Sequence, residues 1–96
     1  MLFEIERRGD ILEIGFGDEA GENDAIVKEV ESTLKTTDLT GGGTLKINGR
    51  ASLPIAIVIG HAVAHMFREI GCFDPKLDKY VIVISHGGRE IGTLID

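Results

Sequence analysis

Two histidines four residues apart, His61 and His65, precede the polar tetrapeptide Asp74-Pro75-Lys76-Leu77, and a third, His86, follows the apolar run Tyr80 to Ile84. Imidazole changes charge near physiological pH and therefore serves as acid, base or metal ligand. A carboxylate can orient an imidazole or hold a divalent cation, and an ammonium group can neutralise a developing oxyanion. Ser52 to His86 is thus the best candidate stretch for a chemical site, with the rest of the chain as scaffold. A polar segment, Asn48-Gly49-Arg50-Ala51-Ser52, opens it. Ser52 reads as the N-cap of a helix beginning near Leu53-Pro54, which would put free backbone N–H groups beside Arg50 as an anion site. The plainer alternative makes Asn48-Gly49 a turn and Arg50 a surface charge.

Each of the other candidates has a plain alternative too. Asp74, Lys76, Asp78 and Lys79 also fit a solvated turn. His61 fits a buried histidine hydrogen-bonded across an interface; His65 lies closer to the Asp74 turn, with Arg68 and Glu69 three and four residues on as possible flanks. Cys72, the single cysteine, reads as a small buried hydrophobe. Gly41-Gly42-Gly43 with Lys46 lacks the spacing of a phosphate-binding loop and leads into a strand, so that reading is rejected.

The elements that must position these groups follow from periodicity. Leu2 to Arg7 and Ile11 to Phe16 alternate apolar and charged residues around the turn Arg8-Gly9-Asp10, which predicts a hairpin with Glu13 facing out. Ile26, Val27, Val30 and Leu34 recur at helical spacing after an N-cap at Asn23 or Asp24. Thr44 to Ile47 is a short strand, parallel to an earlier one because a helix precedes it, and its carboxyl end is Asn48-Gly49-Arg50. Leu53 to Ile70 is read as a second helix, apolar all round and packed against the sheet and a neighbouring subunit. Gly71 to Phe73 is a short strand, Tyr80 to Ile84 a central strand buried on both faces, and Ile91 to Ile95 a last strand. The fold class is α/β: a single small domain over residues 1–96, a mixed sheet with an N-terminal β-hairpin and two helices.

With 96 residues, oligomerisation is expected as a way to bury surface. The apolar fraction of 43% excludes a disordered chain, and no apolar run is long enough for a membrane span. Met1-Leu2-Phe3-Glu4 does not begin like a secretory signal, so a cytoplasmic location is expected. Sixteen acids against 10 bases give a net charge of −6, which opposes binding of long nucleic acid while leaving a small anion open.

The run from Asn48-Gly49-Arg50 through His65, Asp74-Pro75-Lys76-Leu77 and Ser85-His86 to Gly92-Thr93-Leu94-Ile95-Asp96 resembles the small ring nucleases of type III CRISPR systems. The likeness is to their third class, also described as a CRISPR-associated RNA-binding deadenylase. It covers about half the chain well and the N-terminal half in element order only. The resemblance implies a fold related to the sensor domains that bind cyclic oligoadenylate, and a homodimer. It implies linearisation of cyclic tetra-adenylate, with two dimers sandwiching the ring. Carried over by position, the catalytic histidine falls on His65, the aspartate on Asp74 and the basic residue on Lys76. The family's glycine-arginine pair falls on Gly49-Arg50 and its histidine after the central strand on His86; with Asn48 and Ser52 from the strand-end reading above, these are the ligand-binding candidates. Some relatives depend on manganese, for which His65, Asp74 and His86 are the candidate ligands, although relatives have a histidine-rich stretch where this chain has Arg68 and Glu69. Some relatives also carry a fused C-terminal domain, so an extension beyond Asp96 is compatible with the family. The competing class is a regulatory module that captures cyclic oligoadenylate or RNA ends without turnover.

Overall fold

The computed structural model describes all 96 residues. Strands β1 (Phe3–Arg8) and β2 (Ile11–Phe16) form the expected hairpin, antiparallel, with Phe3 opposite Phe16 and Ile5 opposite Ile14. Helix α1 (Asn23–Thr36) leads to β3 (Gly42–Gly49), and α2 (Leu53–Val63) leads to β4 (Phe67–Asp74). β5 (Lys79–Ser85) and β6 (Leu94–Ile95) complete a six-stranded sheet in the order β1-β2-β3-β4-β5-β6. β2, β3 and β4 run parallel and the other pairings are antiparallel. The sheet is therefore mixed, as its element pattern predicts.

The two βαβ crossovers step in the same direction across the sheet, and right-handed connections then put both helices on one face. Ile26, Val30 and Leu34 of α1 and Ile55, Ile59 and Val63 of α2 recur every fourth residue and are buried. They pack with Phe3, Leu12, Leu45, Ile47, Phe67 and Ile70 of the strands into one core. Each such side chain stabilises the fold by roughly 1.5–3 kcal/mol relative to exposure. The opposite face carries no helix. Glu4, Glu6 and Glu13 project from it, Asn48 donates to Glu13 across 3.3 Å, and Lys46 lies 5.5 Å from the centre of the Tyr80 ring.

Four expectations are corrected. The second helix ends at Val63, and Phe67 to Ile70 belong to β4, because their backbone pairs with β3 from Gly42 to Leu45. Met66 and Ile70 are thus not on a helical face. β5 is not central: it is the fifth strand of six, and the register shift opposite Ile70/Gly71 leaves Val83 without a partner and 41% exposed. An extra residue in one strand re-aims side chains in this way. Glu22 caps α1 without a side-chain hydrogen bond, and Asn23 is already helical, its Oδ1 accepting instead from the Ser52 hydroxyl at 2.8 Å. The last strand contracts to Leu94–Ile95 and Ile91 is exposed. No helix is long and apolar enough to cross a membrane.

A candidate site divided between two sheet edges

The parallel strands give the sheet two chemically unlike ends. At the carboxyl ends of β3 and β4 lie Asn48, Gly49 and Arg50, the start of α2 at Ser52, and the turn Asp74-Pro75-Lys76-Leu77. Ser52 caps α2 as its position predicts, its hydroxyl accepting from the Ile55 N–H at 3.5 Å with Pro54 in the first turn. Gly49 has φ of 136°, and a Cβ there would stand 1.7 Å from the Ile14 carbonyl oxygen. Only glycine lets the chain leave β3 this close to β2, which sends Arg50 outward; its N–H donates to that carbonyl at 3.3 Å.

The Asp74 Oδ1 accepts from the Lys76 N–H at 2.9 Å and from the Leu77 N–H at 3.3 Å. This Asx turn fixes the backbone that presents Lys76. Arg50 and Lys76 are exposed, and neither lies within ion-pairing distance of a carboxylate. Lys79 beside them pairs with Asp96, which raises the ammonium pKa and lowers that of the carboxyl. Arg50, two residues before the α2 N-cap, and Lys76, on the turn after β4, thus lie at the same end of the sheet without a carboxylate partner, chemistry suited to phosphate.

At the other edge, His65 sits in the turn after α2 and His86 just beyond β5. Both are exposed, and their rings stack with centroids 4.9 Å apart and planes 29° apart. His61, expected to be buried at an interface, is exposed on α2 in the single chain, where it lines a shallow cavity with Glu31 and Lys35 of α1. The eight residues of β4 span roughly 23 Å at about 3.3 Å per residue, so His65 and Asp74 cannot reach one phosphate within one chain. The candidate manganese ligands divide in the same way: His65 and His86 meet, Asp74 does not join them, and no group of three His, Cys, Asp or Glu residues is placed to hold a metal. Within one chain this donor set does not fit the ion.

The residues that sequence reasoning missed lie beside the histidine pair. Glu69 of β4 is 3% exposed, and its carboxylate accepts from the Arg89 N–H at 2.7 Å, from the Arg89 Nη2 at 2.5 Å and from the Thr44 hydroxyl at 2.9 Å. The Arg89 guanidinium and backbone N–H hold the Glu69 carboxyl at about 2, against the upward pull of burial. Gly43, Thr44, Arg68, Glu69, Gly88 and Arg89 line an open polar cavity of about 370 Å³ here. The available signal was Glu69, an acid set among apolar residues after Arg68, together with Gly87-Gly88 before Arg89. Cys72 is partly buried and burial pushes its thiol up, in keeping with a packing role.

A second cavity of about 370 Å³ is apolar and lies between α2 and β3 to β5, among Ile57, Ile59, Cys72 and Val83. Leu53 and Ile57 of α2 stand 74% and 63% exposed at its side. No curated protein matches the chain. Residues 22–96 match the profile of a family described as CRISPR-associated protein (Cas_csx3). That span runs from α1 through β6 and includes every candidate site residue, and the chain belongs to this CRISPR-associated family.

Proposed function

We propose that the protein is a cytoplasmic ring nuclease, a phosphodiesterase that linearises cyclic tetra-adenylate and so switches off type III CRISPR signalling. Membership of a CRISPR-associated family supports the setting. The observation that carries the reaction is the division of labour between the edges: paired imidazoles at one, free cations and helix N–H groups at the other. A four-phosphate ring held between two dimers, amino edge against carboxyl edge, meets both sets.

In that junction His65 takes the proton of a ribose 2′-hydroxyl, and the oxygen bonds to the neighbouring phosphorus. The bond from phosphorus to O5′ breaks, and the stacked His86 supplies the proton that O5′ leaves with. The products are a linear chain with a 5′-hydroxyl and a 2′,3′-cyclic phosphate, which water then opens to a 3′-phosphate. Lys76 and Arg50 of the facing dimer neutralise the phosphorane, a type of contribution that is often the largest in catalysis. Asp74, whose Oδ2 makes no hydrogen bond within its own chain, orients the facing His65. No step runs through manganese.

The test is incubation of cyclic tetra-adenylate with the protein in manganese, in magnesium and in chelator, followed by mass spectrometry. Linear product is expected. An intact ring after prolonged incubation at excess protein in all three would overturn the reaction and leave a binding module.

A further inference from the structure

Glu69 raises a question that the proposed reaction leaves open. A carboxylate in the interior of a strand loses its hydration and is tolerated only where donors replace it. Here the donors come largely from the segment after β5. Glu69 Oε1 accepts from the Arg89 backbone N–H at 2.7 Å and from Arg89 Nε at 3.3 Å, while Oε2 accepts from Nε at 3.0 Å and Nη2 at 2.5 Å. The carboxylate therefore grips both the side chain and the main chain of one residue. Gly88 passes directly over it, since a Cβ there would stand 2.5 Å from Oε1. Arg68, the preceding residue of β4, holds the start of the same segment: its carbonyl accepts from the His86 N–H at 2.7 Å, and its Nε donates to the Gly87 carbonyl at 3.1 Å.

Two adjacent residues of β4 thus fasten residues 86 to 89 at both ends, although Gly87 and Gly88 lack the side chains that would restrict this segment by themselves. The ring anchored there is His86, exposed and stacked on an equally exposed His65. Two solvated imidazoles on unconstrained loops would sample several rotamers and lose this alignment.

We infer that Glu69 is a positioning residue: through Arg89 it fixes the segment 86–89, and with it the His86 ring against His65. The inference rests on the reading that the two histidines work together, but its direct readout does not depend on turnover. The Arg89 grip outweighs the upward pull of burial and keeps Glu69 ionised at neutral pH, so the clamp stays closed there.

The experiment compares wild type, Glu69→Gln and Arg89→Lys by nuclear Overhauser contacts between the His65 and His86 ring protons, with circular dichroism to confirm the fold. Kinetics on cyclic tetra-adenylate are measured in parallel. Expected are loss of the ring contacts in the folded variants and a fall in kcat of about tenfold at unchanged KM. If Glu69→Gln fails to fold, Arg89→Lys decides, because it leaves the Thr44 hydroxyl and the residue-89 N–H on the carboxylate. Ring contacts retained in a folded variant would overturn the inference and make the clamp a matter of stability alone. A wild type with intact ring contacts and no turnover would overturn the proposed reaction instead, and the contacts would still judge Glu69.

Discussion

His65 and Asp74, nine positions apart in sequence, stand at opposite ends of β4. The strand that separates them is extended and flanked on both sides by other strands, so no motion short of unfolding joins the pair within one chain. Any chemistry they share passes between chains.

Mixing inactive His65→Ala with inactive Asp74→Ala should therefore restore activity. Random pairing gives about a quarter of the junctions an intact histidine facing an intact aspartate, and the rate should rise more steeply than linearly with protein concentration. A mixture as dead as its components, with strictly linear rates in the wild type, would refute the opposed-edge site.

Removal of a free cation should weaken ligand capture. Arg50→Ala and Lys76→Ala are each expected to raise Kd for the ring by about tenfold, equivalent to about 1.4 kcal/mol, and to lower kcat as well because both also face the phosphorane, while Lys35→Ala on α1, already paired to Glu31 on the surface, has no effect. Titration of cyclic tetra-adenylate monitored by calorimetry checks this on catalytically dead protein; equal affinities across the three would remove the carboxyl edge from the site.

The Glu69 carboxyl is depressed from 4.5 to about 2 on folding. A carboxylate shifted downward adds stability that is complete above its unfolded value and is lost as pH falls through the folded one. Glu69→Gln should then cost about 1–3 kcal/mol at pH 7, and its gap to wild type should narrow as pH falls from 4.5 towards 2. Urea midpoints at neutral and at acid pH measure the gap, and one that stays constant contradicts the ion pair.

Gly49→Ala should be among the most damaging single changes, on the order of 4 kcal/mol, since it sets a Cβ against the Ile14 carbonyl at positive φ. Gly15→Ala in β2 meets nothing within 4 Å and should cost under about 1 kcal/mol. Thermal melts of the two side by side suffice, and similar melting temperatures would show that the close approach is not rigid.

Leu53, Ile57 and Val83 leave apolar surface uncovered beside the groove along α2. Ile57→Glu should give a monomer by sedimentation where wild type gives a dimer, with cleavage reduced alongside. A wild type that sediments as a monomer at assay concentrations would put the dimer in error.

Much of this architecture can be read from residue pattern. The every-fourth-residue spacing in α1, the hydroxyl of Ser52 before Pro54 and the parallel course of β3 are local or follow from short connections, and the structure repeats them. The segment Met66 to Ile70 misleads because its residues suit a helix, whereas pairing with β3 draws it into a strand. That single difference alters the site: a helix advances about 1.5 Å per residue and a strand about 3.3 Å, so the histidine and the aspartate move far apart. The side chains singled out from sequence were thus legible as types and not as neighbours. The Glu69 clamp was hidden for a related reason, since it joins residues twenty positions apart through a bulged antiparallel pairing whose register no local pattern specifies.

The helix-free face of the sheet has a kinetic consequence. Glu4, Glu6 and Glu13 gather negative charge on its β1–β2 hairpin, partly offset by Arg8, which pairs with Glu6, and screening confines that field to about 8 Å at physiological ionic strength. A long polyanion, needing many contacts along its length, is repelled where it tries to lie across that hairpin. A compact tetra-anion can be drawn to an edge by Arg50 and Lys76 and meet little of that repulsion. For the proposed ligand, this predicts that a small ring is selected over a long strand during diffusional encounter, before any recognition of bases. Neutralising those three glutamates should admit RNA as a competitor without changing the rate of the bound ring.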